Sequence, residues 1–196
     1  IFCSQATALL LPTVLRDALK ISITRDQRKI EQFIDKIDAL LTPLPYGEWH
    51  RINTGGRDQL EIRLQPAGHI LGSAYVECRF YHPNEKKTIK VLFSGDLGAP
   101  YAPILPSPKP PYSADLVVLE STYGDRNHRD AGDVGDQLAD LIHDTARRGG
   151  NLVIPTFAVE RAQELMYHIS ELVHADHIPD LPVFLNSPMA VDVTEV

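Results

Sequence analysis

Apolar positions recur with a helical period near the start of the chain and with a strand period further on. Thr24-x-x-Gln27 has the form of a capping box, and the apolar residues after it recur at helical spacing. This pattern predicts an amphipathic helix over residues 26–41. An earlier apolar stripe predicts another helix over residues 7–20.

From residue 49 onward, apolar and polar residues alternate, which is the period of a strand with one buried face. The alternation predicts strands around residues 60–64, 75–81 and 89–93. His82-Pro83-Asn84-Glu85 supplies a turn between the last two of them. The middle of the chain is therefore expected to be rich in β-structure.

A proline-rich stretch over residues 99–111 excludes helix and central strand, so it predicts an extended connector. The continuous apolar run at residues 115–119 is typical of a strand buried on both faces. Beyond it, helical patterns alternate with short apolar runs at 151–154 and 182–185, and the first of these helices ends at Gly149-Gly150. This β-α-β-α-β order predicts a parallel sheet with flanking helices and an α/β fold class.

Composition and charge exclude several classes of protein. The chain has 196 residues, 43% of them hydrophobic, and a formal net charge of −7, so it is neither a disulfide-stapled miniprotein nor a chain with a global positive field. No apolar run approaches the length of a membrane span, and no charged n-region followed by an apolar h-region opens the given sequence, so we expect neither a span nor a signal peptide. Two distant cysteines, Cys3 and Cys78, fit a reducing compartment, so we expect a cytoplasmic protein. Its first residue is not Met, and we expect a fragment of a longer protein.

Three polar side chains stand at or just after predicted strands, where catalytic groups are often placed. His69 lies between Gly68 and Gly72, Asp96 between Gly95 and Gly98, and Glu120 ends the apolar run. Imidazole and carboxylate groups delivered in this way suit a metal site. A turn histidine bonded to backbone and an Asx turn at Asp96 are the structural alternatives.

These residues belong to a longer series of motifs that resembles one known family. The series resembles the zinc-dependent nucleases of the metallo-β-lactamase fold that carry an inserted β-CASP domain, and in particular their RNA-processing branch. That branch includes bacterial ribonucleases and the eukaryotic endonuclease that processes pre-mRNA 3′ ends. In chain order the motifs are Tyr46-Gly47-Glu48-Trp49, Ala67-Gly68-His69 with Gly72-Ser73-Ala74, Ser94-Gly95-Asp96-Leu97-Gly98, Glu120-Ser121-Thr122-Tyr123-Gly124-Asp125-Arg126, Ile154-Pro155-Thr156-Phe157-Ala158 with Arg161-Ala162-Gln163-Glu164, and Ser187-Pro188-Met189-Ala190.

The resemblance implies a fold, a cofactor and residue roles. Residues 1–124 would be part of a metallo-β-lactamase αββα sandwich, and residues 125–196 the start of a β-CASP α/β domain. His69 and Asp96 would be metal ligands of a site with two zinc ions in the full-length protein, Asp96 bridging them. Asp96 and Glu120 would serve catalysis, with Glu120 near the site rather than a ligand.

The substrate implied is single-stranded RNA, with Arg126, Arg161 and Ser187 as candidate contacts. Packing of Arg126 on Tyr123 and pairing of Arg161 with Glu164 are the structural alternatives. The family's His-x-His-x-Asp-His motif and its two later histidines have no match here, so we expect residues 1–196 alone to be inactive.

Other functions stay open on the sequence alone. They are a non-catalytic RNA-binding or scaffold protein of the same fold, a DNA-directed nuclease, and a hydrolase of small esters or thioesters. The sequence leaves open whether the enzyme acts as an endonuclease or as a 5′-to-3′ exonuclease. A homo-oligomer is possible, but the sequence does not establish one.

Overall fold

The structure is a computed structural model that describes residues 1–55, 59–127 and 133–196. The chain divides into two units, Ile1–Thr122 and Tyr123–Glu195. Together they hold five helices and seven strands among the described residues, which confirms a mixed α/β protein. Within the described ranges, no helix is long and apolar enough to cross a membrane.

The first unit begins with a small β-α-α-β arrangement. Strand β1 (Phe2–Ser4) leads into helices α1 (Gln5–Ser22) and α2 (Gln27–Asp38), and β2 (Thr42–Leu44) returns to pair with β1 in parallel. Both predicted helices are therefore confirmed. The two strands were not predicted, because three-residue strands are too short to show an alternating pattern.

The capping-box prediction at the start of α2 is wrong in its capping residue. Asp26, not Thr24, is the N-cap, and its carboxylate accepts the backbone N–H of Arg28 at 3.1 Å. Thr24 instead accepts the N–H of Asp26 at 3.1 Å. Aspartate immediately before a first helical turn is as good a cap as threonine, so the nearer side chain takes the role.

A five-stranded sheet follows, with the strand order β3-β4-β5-β6-β7. The pairs are antiparallel except β6 with β7, which run parallel. The predicted strands of the middle section are confirmed. In chain order the strands are β3 (His50–Ile52), β4 (Gln59–Pro66), β5 (Ala74–His82), β6 (Lys87–Phe93) and β7 (Leu116–Val118).

The register gives the sheet one apolar and one polar face along much of its length. Ile62, Cys78 and Val91 stand opposite one another on β4, β5 and β6. Glu61, Arg79 and Lys90 do so one residue away, on the other face. The alternation seen in the sequence is therefore the alternation of the two faces.

The predicted burial of strand β7 is wrong. Leu116, Val117 and Val118 are 56%, 51% and 48% exposed, although they form a strand as predicted. Among the described residues, β7 is the last strand of the sheet and pairs only with β6. A continuous apolar run predicts a strand, but its burial depends on neighbours that the run does not encode.

In the second unit the predicted helices are present. They are α3 (Val134–Arg147), α4 (Arg161–His174) and a further short helix, α5 (Pro188–Thr194). Gly149 follows α3 with a φ of +65°, as expected for a glycine C-cap. Leu138, Ile142, Leu172 and Ile178 form a buried apolar cluster in this unit.

The two strands predicted in this unit are not formed. Residues 151–154 and 182–185 are irregular, and Val153 and Phe184 are 81% and 84% exposed. The described residues therefore do not form the expected β-α-β-α-β parallel sheet. An apolar segment becomes a strand only when a second segment bonds to its backbone, and neither has such a partner among the described residues.

We predict that Ile30→Ala in α2 destabilises the fold far more than Phe33→Ala in the same helix. Ile30 is 1% exposed and Phe33 is 42% exposed, so only the first substitution removes fully buried apolar contacts. The expected loss for Ile30→Ala is about 2–5 kcal/mol in the free energy of unfolding, measured by urea denaturation. Equal losses for the two variants would contradict this packing.

Candidate active site

Four strand ends meet at one edge of the five-stranded sheet. Strand β4 ends at Pro66 where β5 begins at Ala74, and β6 and β7 end beside them at Phe93 and Val118. The three polar residues singled out in the sequence all follow these ends, namely His69, Asp96 and Glu120. The topology therefore gathers at one edge three residues that are up to 51 positions apart in the sequence.

The loop that carries His69 is fastened through its backbone, and the imidazole is exposed. The hydroxyl of Ser73 accepts the N–H groups of His69 at 3.0 Å and of Ile70 at 3.2 Å. Ala67 donates its N–H to the carbonyl of Ser73 at 3.1 Å, which closes the loop at its base. These bonds order the backbone under His69 and leave its side chain at the surface.

The start of helix α1 holds the same loop from the other side. Ser4, which is 2% exposed, and Thr7 each donate a hydroxyl hydrogen bond to the carbonyl of Gly72, at 2.7 and 3.0 Å. Gly72 has a φ of +88°, and a Cβ there would lie 2.8 Å from the backbone nitrogen of Thr7. Sequence reasoning missed Ser4 and Thr7, although a serine before a helical pattern is itself an N-cap signal.

The loop that carries Asp96 lies directly against the loop that carries His69. Gly98 donates its N–H to the carbonyl of Ala67 at 2.9 Å. A Cβ on Gly98 would lie 1.6 Å from the carbonyl oxygen of Gly68 and 2.5 Å from the nitrogen of His69. Only glycine permits this approach, which keeps the two loops in backbone contact.

Asp96 is exposed, and its carboxylate has no hydrogen-bond partner among the described residues. The Asx-turn alternative is therefore not what the structure contains. Ser94 makes the local contact at the end of β6 instead, by accepting the backbone N–H of Glu120 at 2.9 Å. Asp96 is left available for a ligand.

Glu120 joins the strand end of β7 to the loop of Asp96. One carboxylate oxygen accepts the N–H of Leu97 at 3.1 Å, and the other accepts the hydroxyl of Thr122 at 2.7 Å and its N–H at 3.2 Å. The Thr122 hydroxyl, these backbone N–H groups and the charge of nearby His69 hold the pKa of the Glu120 carboxyl below its usual value. Glu120 therefore favours its ionised form, in which it accepts these hydrogen bonds and holds the loop in place rather than donating a proton.

The donors at this edge fit zinc in chemistry but do not complete a site. Imidazole nitrogen and carboxylate oxygen are ordinary zinc donors, and His69 and Asp96 supply one of each on contacting loops. Within residues 1–55, 59–127 and 133–196, no three His, Cys, Asp or Glu side chains are grouped closely enough to hold a metal ion. A complete site at this edge needs further ligands.

The candidate substrate-binding residues belong to the second unit, where each has a local partner. Arg126 forms two hydrogen bonds of 2.8 Å with the carboxylate of Asp125. Arg161 pairs with Glu164, as its structural alternative predicted. Ser187 is the N-cap of α5 and accepts the N–H of Ala190 at 3.2 Å.

Curated relatives match nearly the whole chain, whereas no protein-family profile matches it. Ribonuclease TTHA0252 of Thermus thermophilus is 40% identical over 195 residues, covering 97% of this chain and 41% of that protein. An RNase J-like protein of Methanocaldococcus jannaschii is 28% identical over 192 residues, covering 96% of this chain and 42% of that protein. Endoribonuclease YSH1 of Saccharomyces cerevisiae is 29% identical, with 97% of this chain and 25% of its own covered. The chain thus spans about two fifths or less of these relatives.

We predict that Gly98→Ala disrupts the edge, whereas Gly150→Ala is tolerated. The new Cβ at Gly98 would overlap the backbone of Gly68, which has no flexible side chain to move away, whereas at Gly150 the nearest atom is 3.7 Å distant. Gly98→Ala should cost about 1–3 kcal/mol or more in the free energy of unfolding and raise amide hydrogen exchange at residues 67–73. Unchanged exchange in Gly98→Ala would contradict the loop contact.

Proposed function

We propose that the chain belongs to the β-CASP ribonuclease family of the metallo-β-lactamase fold, and that the full-length protein is a metal-dependent hydrolase of RNA phosphodiester bonds. The observation that carries this proposal is the sheet edge, which brings the His69 and Asp96 loops into backbone contact and leaves both side chains exposed. An exposed imidazole and carboxylate on braced loops are what a metal-assisted hydrolase needs at this position.

The proposed family places the metal donors and the RNA contacts in different parts of the chain. We assign residues 1–124 to part of a metallo-β-lactamase sandwich and residues 125–196 to the start of a β-CASP domain. The sheet edge with its metal donors belongs to the first part. The three candidate RNA contacts belong to the second.

His69 and Asp96 would hold metal at the edge, with the remaining ligands supplied by other parts of the full-length protein. The proposed complement is two zinc ions. The chemistry that bound zinc supplies is Lewis-acid polarisation of the scissile phosphate and a lowered pKa for a bound water. This metal charge allows an acidic chain, with a net charge of −7, to act on a polyanion.

Glu120 contributes by position. Its ionised carboxylate holds the N–H of Leu97, the residue next to Asp96, so it orients the loop that presents the metal donor. The same negative charge lies close enough to His69 to interact with it, and it would equally orient a histidine that protonates the leaving oxygen.

Arg126, Arg161 and Ser187 are the proposed RNA contacts. The side chains of Arg126 and Arg161 are 66% and 61% exposed, and each pairs with a carboxylate. The pair of Arg126 with Asp125 is exposed on both sides and contributes little to stability, so a phosphate can replace that carboxylate at small cost, whereas Glu164 is 13% exposed and a phosphate would have to share Arg161 with it. Ser187 lies at the start of α5, with a hydroxyl that already accepts one backbone bond.

We predict that Asp96→Asn in the full-length protein lowers zinc content and abolishes RNA cleavage. Near two zinc ions per chain are expected in the wild type, measured by elemental mass spectrometry, with a clear fall in the variant because one donor is lost. Cleavage of single-stranded RNA should fall at least about 100-fold. Loss of a group that only orients a metal ligand can cost that much, and Asp96 is proposed to be a ligand itself. Asp35→Asn, on the exposed side of α2, is the matched control and should change neither quantity.

The other outcomes separate the alternatives. Full cleavage by Asp96→Asn would refute the metal assignment. A wild-type protein without bound metal that still binds RNA would be a scaffold, and esterase activity without RNA binding at low salt would identify a small-ester hydrolase.

We predict that residues 1–196 alone do not cleave RNA when zinc is added. The described residues supply His69 and Asp96 but no third neighbouring donor, and two ligands do not make a stable dinuclear site. The measurement is RNA cleavage by this segment beside the full-length protein at equal concentration. Zinc-dependent cleavage by the segment would show that the ligand set is complete within it.

A further inference from the structure

The polar face of the sheet carries a pocket that is lined by cations and aromatic rings. Trp49 lines it, with the guanidinium carbons of Arg79 and Arg63 at 3.7 and 4.5 Å from the centre of the indole ring. Lys90 and Tyr112 also line the pocket. Trp49 comes from the Tyr46-Gly47-Glu48-Trp49 motif, to which the proposed active site gives no role.

The cations of this pocket differ in how fully they are neutralised. Arg63 forms a close ion pair with Glu77, with its Nε 2.6 Å from a carboxylate oxygen. The guanidinium of Arg79 lies 3.9 Å from a carboxylate oxygen of Glu61, which is beyond hydrogen-bond length. The ammonium of Lys90 donates a hydrogen bond to the hydroxyl of Ser113 at 2.9 Å.

One further carboxylate touches this region. Asp115 accepts the backbone N–H of Lys90 at 2.7 Å, at the rim where β6 meets β7. Because that bond goes to the backbone, the ammonium of Lys90 keeps donors for another acceptor.

The position of Arg79 suits an anion from outside. A guanidinium whose face lies on an indole keeps its N–H edge for hydrogen bonds in its own plane, which is the geometry that phosphate oxygens accept. Lys90 stands opposite Arg79 on the neighbouring strand, so both cations project from the same face. Tyr112, which also lines the pocket, is 98% exposed, so its ring is accessible for a base to stack on.

We propose that this pocket binds a backbone phosphate of single-stranded RNA, with Arg79 and Lys90 as the phosphate contacts and Tyr112 stacking on an adjacent base. The proposal rests on the proposed function, because it assigns to the same RNA a second point of attachment. Lys90 is three residues from Phe93 and Arg79 is five residues from Ala74, where their strands reach the sheet edge, so the pocket lies about 10–17 Å from that edge. The phosphate held there is therefore not the one that is cleaved.

The test is equilibrium binding of a fluorescent oligouridine to the full-length protein in EDTA, where metal-dependent cleavage does not occur. Lys90→Gln and Arg79→Gln should each raise the Kd about tenfold, since each removes a charge-assisted hydrogen bond to phosphate. The slope of log Kd against log salt should fall by about 0.7 for each lost phosphate contact. Arg79→Lys should restore the salt slope but not the full affinity, because it keeps the charge and loses the planar fork.

Lys36→Gln on α2 is the matched control, with the same charge change at an exposed position outside the pocket. The melting temperature of each variant is measured in parallel, and Lys90→Gln keeps the test valid if Arg79→Gln does not fold. If Lys90→Gln binds RNA with the Kd and slope of Lys36→Gln, the proposal is overturned. If poly-glutamate binds with the same dependence on Lys90 and RNA does not compete, the pocket is a site for acidic peptides instead.

The two proposals fail in different ways. Cleavage that depends on Asp96, together with RNA binding that is indifferent to Lys90 and Arg79, leaves the proposed function standing and removes the pocket. A wild-type protein that neither binds nor cleaves RNA overturns both.

Discussion

The candidate site depends on one backbone contact, that of Gly98 with the Gly68–His69 peptide. A side chain at residue 98 would occupy the space of the Gly68 carbonyl, so the loops of His69 and Asp96 stay in contact only with glycine there. The hydroxyls of Ser4 and Thr7 fix the far end of the His69 loop, and Glu120 fixes the Asp96 loop. Each bond acts on backbone, which leaves the imidazole and the Asp96 carboxylate exposed at the edge.

The proposed action on RNA has to be reconciled with the acidity of the chain. Its net charge of −7 provides no general attraction for RNA, so under the proposed function binding would come from metal held at the edge and from local cations. The local cations are of two kinds. Arg126 and Arg161 are exposed and pair closely with carboxylates. Arg79 lies against an indole with Glu61 at 3.9 Å, and Lys90 is bonded to a hydroxyl.

Exposed apolar segments mark the places where sequence patterns misjudged the structure. Leu116–Val118 forms its strand but is half exposed, and residues 151–154 and 182–185 form no strand at all. In each case a β-prone composition predicted a buried strand. Burial and pairing are decided by a second segment far away in the sequence, and a local pattern contains no information about that segment.

The sequence by itself determined the elements with a clear period and the identity of the candidate donors. Helices α1 to α4 and strands β4 to β6 follow from alternation or helical spacing, and glycine-flanked His69 and Asp96 stand out as available polar groups. Only the tertiary structure decided that their two loops touch, that Ser4 and Thr7 hold one of them, and that Trp49 lies against two arginines from separate strands. The physical reason is that these contacts join residues far apart in the chain, through strand register and close backbone approach, which no local pattern specifies.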